Sequence, residues 1–166
     1  MIKYPEVQTK AQAEIDAVVG NGRLPDFRDE GNLPYVSALV KEVYRWRVVT
    51  PQATPHCLIE DDYYRGFYLP KGSVVIGNTY AILHDPVAFP DPHVFRPERY
   101  LDPSTRAPDG IFGYGGRACP GRFLARSNTW LAVANMLAAF HIEKAANEHG
   151  DLIDPDDRSE TAGTVV

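Results

Sequence analysis

A glycine-rich segment that contains a cysteine is the part of the sequence whose residue types most directly suggest chemistry. Residues 112–121 read FGYGGRACPG, so Cys119 directly precedes a proline of the kind that opens helices. The amino end of a helix carries partial positive charge, which favours a thiolate over a thiol. Arg117 adds a nearby cation, and the glycines allow backbone to approach a flat ligand or a sulfur atom. The segment predicts an electron-rich sulfur ligand beside an anion-binding arginine.

Taken alone, neither Cys119 nor a pair of charged residues at positions 42 and 45 requires a functional explanation. A lone cysteine such as Cys119 is most often a buried, inert side chain. Glu42 and Arg45 are three residues apart, so on a helix they lie on neighbouring faces and can form an ion pair. A pair of this kind on a solvated helix contributes about 0.5 kcal/mol or less. Neither pattern identifies a function without the sequence around it.

Three long helices are predicted to position these residues. The first spans residues 5–19, where apolar side chains recur at helical spacing and glycines follow. The second begins at Pro34 with Asn32 as its cap, and Pro51 closes it within a few residues. The last covers residues 120–140 and follows the cysteine directly. We therefore expect Glu42 and Arg45 to lie on the second helix, and Cys119 to lie just before the last one.

The remaining segments are predicted to be loops and short strands. Residues 23–31 are polar and indicate a loop, whereas three β-prone runs within residues 57–76 favour a small antiparallel sheet. Asn78 is expected to cap a short helix. Residues 84–110 are rich in proline and aspartate, which favours an ordered meander without long helices or strands. The tail after Lys144 is given no regular structure. The predicted fold class is mainly α with a small antiparallel β-sheet.

Composition excludes several classes of protein. The 166 residues are 44% hydrophobic and 23% charged, as expected for one globular domain. A net charge of −5 argues against nucleic acid as a partner. Two cysteines cannot form a disulfide framework or a zinc site of the C-x-x-C type. No apolar run approaches a membrane span, and the amino terminus has no signal-peptide pattern.

The glycine-rich segment resembles the haem-thiolate loop of cytochrome P450 enzymes. Phe112, Gly115, Arg117, Cys119 and Gly121 each occupy their places in the pattern F-x-x-G-x-R-x-C-x-G. Five fixed positions within ten residues seldom coincide by chance, so the ordinary interpretation of the cysteine gives way to that of an iron ligand.

Two more motifs occur in the order that this family has them. Glu42 and Arg45 match its E-x-x-R pair, and residues 95–100, FRPERY, are similar to its P-E-R-F segment with Tyr100 in the last place. The resemblance implies that Arg99 joins Glu42 and Arg45 in a buried network bracing the haem loop. It covers about residues 1–145. It implies that the chain is the C-terminal fragment of a single cytochrome P450 domain of fungal microsomal type, with the tail 145–166 left unassigned.

The resemblance also implies a haem b cofactor and assigns residues to it. The residues placed around the haem belong to the cysteine loop and one strand end: Cys119, Arg117, His56, Phe112, Gly113 and Gly121. Cys119 is the implied axial ligand of the iron, whereas Arg117 and His56 are the implied partners of the haem propionates. Without the family, a histidine at a strand start would be a surface residue.

Substrate and electron-donor surfaces follow from the same resemblance. The turn after the second helix is expected to line the substrate pocket, with Thr50, Ala53 and Thr54 as candidate contacts. Arg122 and Arg126 lie four residues apart on the last helix, a spacing that is most often a solvated basic face. In this family such residues would attract an acidic redox partner. The implied donor is NADPH–cytochrome P450 reductase, with cytochrome b5 as a further one.

The implied activity is that of a haem-thiolate monooxygenase. Thiolate donation to the iron favours O–O bond cleavage, so that one oxygen atom of O2 enters a small apolar substrate. Electrons come from NADPH through the reductase. Members of the family act as monomers, and the microsomal ones sit on the endoplasmic reticulum membrane, although this chain shows no anchor.

Part of the family pattern has no counterpart in the sequence. No segment matches the A-G-x-[DE]-T signature of the oxygen-binding helix. The isolated fragment is therefore expected to be inactive, marginally stable and a weak binder of haem. Three alternatives stay open: a truncated, non-catalytic remnant, a haem-thiolate enzyme that rearranges or dehydrates peroxides, and a haem-free binding module with a structural Cys119.

Overall fold

A computed structural model describes residues 1–155 of the protein, and in this range it is mainly helical with small antiparallel sheets, as predicted. The α-helices are α1 (Pro5–Val18), α2 (Pro34–Trp46), α3 (Thr79–Leu83) and α4 (Arg122–Ala139). The strands are β1 (His56–Cys57), β2 (Asp62–Tyr64), β3 (Phe67–Leu69) and β4 (Val74–Val75). Short 3-10 helices cover Phe27–Asn32, Pro97–Leu101, Asp109–Phe112 and Gly115–Arg117.

The main core lies between α1, α2 and α4. Each helix turns a stripe of apolar residues inward, because side chains three or four positions apart share one helix face. The buried residues of these stripes are Val7, Ala11, Ile15, Val36, Leu39, Val40, Trp130, Ala134 and Leu137. A smaller cluster, formed by Ala38, Leu83, Phe89 and Tyr100, packs α2 against the proline-rich segment that follows α3. The two clusters fix α2 from both sides.

The amino end of α2 is capped by a residue from another helix. Asn32 was the expected cap, but it ends the preceding 3-10 helix, and Leu33 takes the cap position without a side-chain bond. The Glu14 carboxylate accepts hydrogen bonds from the backbone N–H groups of Tyr35 at 2.8 Å and Val36 at 3.0 Å. The prediction for Asn32 was wrong because α1 supplies an acceptor that local sequence cannot reveal.

The segment predicted as a loop at residues 23–31 contains the 3-10 helix Phe27–Asn32. Asp26 accepts from the N–H of Arg28, while the Asp29 carboxylate accepts from the N–H of Asp26 and pairs with Arg23 at 2.7 Å. These reciprocal bonds form a capping box, which stabilises a helical turn in a segment without apolar periodicity.

The predicted sheet is divided into two separate two-stranded antiparallel ladders. In one, His56 of β1 lies opposite Val75 of β4; in the other, Tyr64 lies opposite Phe67 across a tight turn. Asn78 caps α3, as predicted, by accepting from the N–H of Ala81. The two ladders leave most of their side chains exposed.

The proline-rich segment 84–110 is an ordered meander, and its regular parts are 3-10 turns. Helix α4 begins at Arg122, two residues later than predicted. In the tail, a single bridge joins Ala146 and Leu152, and residues 156–166 lie outside the described part. No helix in residues 1–155 combines the length and apolar character needed to cross a bilayer.

Candidate functional site

A buried carboxylate and two buried guanidinium groups form a hydrogen-bonded cluster between α2 and the 3-10 helix Pro97–Leu101. Glu42 and Arg45 are both fully buried, and Arg99 is buried beside them. The Glu42 carboxylate accepts from Nε and Nη2 of Arg45, each at 2.8 Å, and from Nε of Arg99 at 3.2 Å. The backbone N–H of Arg96 adds a fourth donor at 2.9 Å. A carboxylate so surrounded has its desolvation offset by charged hydrogen bonds.

The two arginines extend this cluster into the meander. Their remaining N–H groups donate to backbone carbonyl oxygens, those of Leu83, Pro90, Asp91, Pro92 and Val94. A proline-rich segment lacks ladder partners for its carbonyls, so the guanidinium groups supply the missing donors. Glu42, Arg45 and Arg99 therefore fix the meander to α2, and we call them the α2 ion cluster.

Tyr100 lies next to the α2 ion cluster, and its hydroxyl is buried without a hydrogen-bond partner among the described residues. Only 8% of the residue is exposed, and burial raises the pKa of its phenol. A buried hydroxyl without a partner costs free energy. We expect Tyr100→Phe to raise the free energy of unfolding by about 1 kcal/mol in urea titrations. A loss of stability would show that the hydroxyl has a partner.

Cys119 lies in an exposed position just before α4, with its thiol free. Its N–H donates to the carbonyl oxygen of Phe112 at 2.7 Å, which closes residues 112–119 into a loop. Its carbonyl accepts from the N–H of Arg122 at 3.3 Å and so joins the first turn of the helix. The sulfur thus projects from a closed loop at the positive end of an 18-residue helix.

One glycine of the loop has a backbone conformation that a larger residue would strain, and another lies next to the sulfur. Gly113 has φ +83°, a conformation that side chains rarely allow. A Cβ on Gly121 would lie 3.8 Å from Sγ of Cys119, which is an ordinary van der Waals contact. The backbone conformation therefore accounts for Gly113, whereas Gly121 is defined by its position next to the sulfur.

Tyr114, in the same loop, makes a contact that the sequence analysis missed. Its hydroxyl lies 3.0 Å from Oγ1 of the buried Thr79, at the start of α3. The side chain lies so close to two other glycines that an added Cβ would come within 2.6 Å of the ring at Gly77 and within 3.1 Å of the hydroxyl oxygen at Gly110. An aromatic residue between glycines was the available signal, but Thr79 and Gly77, which it contacts, are distant in sequence.

The remaining predicted residues are spread along the chain. Phe112 is partly buried, with its ring 5.7 Å from that of Tyr44 and 5.3 Å from Cζ of Arg126. Arg117 and His56 are exposed, and neither side chain takes part in a hydrogen bond or ion pair within the described residues. Both are therefore available to an anionic ligand, although no direct contact joins them to each other.

The last predicted residues lie in two places: the substrate-pocket candidates in the turn after α2, and the two arginines at the start of α4. Ala53 is buried and its N–H donates to the carbonyl oxygen of Gly77 at 2.8 Å, whereas Thr50 and Thr54 are exposed. The guanidinium of Arg126 pairs with Asp109. That of Arg122 lies over the ring of Phe123, 4.5 Å from its centre. The ion pair between Arg126 and Asp109 partly neutralises the basic face that was predicted for Arg122 and Arg126.

Comparisons with known proteins decide the family. The sequence profile described as cytochrome P450 matches residues 1–160. This chain belongs to the cytochrome P450 family. It is 50% identical over 158 residues to a cytochrome P450 monooxygenase of Armillaria gallica, covering 93% of this chain and 31% of the relative. It is 48% identical over 162 residues to tryptamine 4-monooxygenase of Psilocybe cyanescens, covering 93% of this chain and 32% of the relative.

A solved structure agrees with this assignment. A zebra fish cytochrome P450, described with abiraterone, superposes with a TM-score of 0.80 at 37% identity, covering 87% of this chain and 34% of the other. The predicted family and fold class are confirmed, as is the predicted similarity to fungal members of the family. The chain spans about a third of the length of the curated relatives it matches.

The cysteine loop of this cytochrome P450 chain suits the haem that the family implies. An exposed thiol at the positive end of a helix suits an iron atom that prefers a thiolate, and two exposed, unpaired basic side chains suit propionates. No cluster of three or more histidine, cysteine or acidic side chains that could hold a separate metal ion occurs in residues 1–155.

Proposed function

We propose that this chain carries the iron ligand of a haem-thiolate monooxygenase, which inserts one oxygen atom from O2 into a small apolar substrate. The observation that carries the proposal is the exposed Sγ of Cys119, presented by a loop that its own N–H closes at the amino end of α4. The family supports a monooxygenase; the residue assignments and the electron route are our proposals.

The chain's own residues have distinct tasks in this mechanism. Cys119 would bind the iron, Arg117 and His56 would pair with the propionates, and Phe112, held between Tyr44 and Arg126, would pack beside the ring. Gly113 gives the loop a backbone turn with φ +83°, and Gly121 would lie beside the haem next to the sulfur. Bound haem with a thiolate ligand supplies the oxygen-activating chemistry.

The buried α2 ion cluster is proposed to stabilise the position of the cysteine loop through the meander that precedes the loop. Fixing the meander to α2 also holds part of the segment that leads towards the cysteine loop. Arg96 and Arg99 bond to Glu42, and the Thr105 hydroxyl donates to the carbonyl oxygen of Arg99. A rigid loop would matter, since a residue that holds a prosthetic group must keep its position when substrate and electron donor bind and leave.

The ligand assignment is tested by Cys119→Ser. The protein would be a chimera that joins this chain to the part of the Armillaria relative that the chain does not cover, loaded with haem. We expect the reduced, carbon-monoxide-bound form to show the red-shifted Soret band of a thiolate ligand, and Cys119→Ser to lose it. Cys57→Ser is the matched control, because Cys57 is an exposed, free thiol on β1. A band that survives Cys119→Ser would refute the assignment.

Oxygen insertion and the electron route need a second measurement on the same chimera. NADPH and cytochrome P450 reductase are added with a panel of apolar substrates under isotopically labelled O2. We expect one labelled oxygen atom in the product only when both are present. Conversion of peroxides without a reductase would point to a rearranging enzyme instead.

The remaining assignments follow from the family resemblance. We propose that the chain forms the C-terminal part of a single cytochrome P450 domain, and that Thr50, Ala53 and Thr54 line the substrate pocket. The partners are NADPH–cytochrome P450 reductase, with cytochrome b5 as a further donor, and the site of action is the endoplasmic reticulum membrane. The protein acts as a monomer.

A further inference from the structure

We propose that Tyr114 is a positioning residue, which holds the cysteine loop against the segment that carries Ala53. The proposal rests on the proposed function for its meaning, since the loop matters as the holder of an iron ligand. Its structural basis is the hydrogen bond between the Tyr114 hydroxyl and Oγ1 of Thr79, at 3.0 Å. Thr79 is 1% exposed, so this bond lies at the edge of the core.

The Tyr114 side chain packs against two glycines, and a Cβ at either position would come too close to it. A Cβ on Gly77 would lie 2.6 Å from Cε2 of the ring, and one on Gly110 would lie 3.1 Å from its hydroxyl oxygen. Neither glycine has a positive φ, so the ring and not the backbone conformation requires the missing side chains. The tyrosine therefore packs against the backbone of Gly77, which is distant in sequence, and of Gly110, which is only four residues away.

Backbone hydrogen bonds connect the residues that Tyr114 contacts with the turn after α2. The carbonyl oxygen of Gly77 accepts from the N–H of Ala53 at 2.8 Å and from that of Thr79 at 2.9 Å. The N–H of Tyr80 donates to the carbonyl oxygen of Pro51 at 3.0 Å. Tyr114 thus connects the cysteine loop with the turn proposed to line the substrate pocket, so that one contact sets the relative position of both.

The test measures hydrogen exchange by mass spectrometry in the full chain, without haem. The peptide covering residues 112–121 contains the N–H of Cys119, which is bonded to Phe112. We expect Tyr114→Phe to speed exchange of this peptide about fivefold, as the loss of one hydrogen bond implies. Gly77→Ala should do the same by displacing the ring. Tyr64→Phe and Gly31→Ala are the matched controls, because the first is an exposed tyrosine and nothing lies near the second.

Variants of Thr79 separate a specific contact from general loosening. Thr79→Val should speed exchange of residues 112–121 as much as Tyr114→Phe does, and the double variant should exchange little faster than either single variant. Thr79→Ser should keep exchange slow, because serine retains the hydroxyl. Unchanged exchange of residues 112–121 in Tyr114→Phe would overturn the proposal. So would additive effects in the double variant, or a uniform acceleration over the whole chain.

The outcome is independent of the ligand assignment. Exchange of the loop is measured without haem, so it stands whether or not Cys119 proves to bind iron. In the haem-loaded chimera, we expect Tyr114→Phe to lower the fraction of the red-shifted Soret band in the reduced, carbon-monoxide-bound form. If the unsubstituted chimera shows this band, an unaltered fraction in Tyr114→Phe would overturn the positioning role. If the unsubstituted chimera lacks the band, the ligand assignment fails, and the exchange result for the loop still decides the positioning role.

Discussion

Replacing Glu42 with glutamine is expected to destabilise the protein by about 3–5 kcal/mol, because it leaves the buried Arg45 and Arg99 charges without their counterion. The carboxylate accepts bonds from both guanidinium groups and from the N–H of Arg96. Glutamine fills the same space but has one acceptor oxygen and no charge. The free energy of unfolding, measured in urea by circular dichroism, gives the size of the loss.

The control for this substitution is Glu60→Gln. Glu60 is exposed and makes no ion pair within residues 1–155, so its removal should change stability by less than about 0.5 kcal/mol. Arg45→Lys is expected to be costly as well, since an ammonium group cannot reproduce the bidentate contact with Glu42. Equal stability of Glu42→Gln and Glu60→Gln would show that the α2 ion cluster contributes nothing to the fold.

Trp130→Ala is expected to cost about 3–5 kcal/mol through the cavity it leaves between α4 and α2. Trp130 is 2% exposed, belongs to the main core and donates from its indole Nε1 to Oγ of Ser37 at 3.0 Å. The substitution removes both the packing and the hydrogen bond that hold α4 on α2. Because α4 begins beside Cys119, the cysteine loop should also lose protection from hydrogen exchange.

An aromatic residue on the same helix provides the control for Trp130. Phe123 is 63% exposed and contacts the Arg122 guanidinium, so Phe123→Ala should change stability by less than about 1 kcal/mol. Urea denaturation of both variants gives the comparison. A cost of similar size at the two positions would mean that α4 does not pack as described.

Helices and turns were the part of the fold that could be predicted from local sequence. Pro34 starts α2, Asn78 caps α3, and the β-prone runs form antiparallel pairs, since these preferences act within a few residues. The cap of α2 could not be predicted, because Glu14 reaches it from another helix. Local signals fail wherever a distant acceptor replaces a nearby one.

The candidate site divides in the same way. Sequence spacing alone places Glu42 and Arg45 one helical turn apart and Cys119 before a helix, because both depend on short stretches of chain. Resemblance to a family added Arg99 to the first pair. The carbonyl oxygens that the arginines bind, and the seat of Tyr114 against Gly77, arise only when the meander folds back over α2 and α3.

Local sequence thus identifies the side chains that are capable of chemistry: a thiol before a helix, and charged residues three apart. The surroundings of these side chains arise from the fold, because burial and hydrogen-bond partners come from segments 35 to 57 residues away, as for Tyr114 with Thr79 and Arg99 with Glu42. An ion pair that would contribute little in water becomes a fixed part of the core once solvent is excluded, and local sequence does not encode that exclusion.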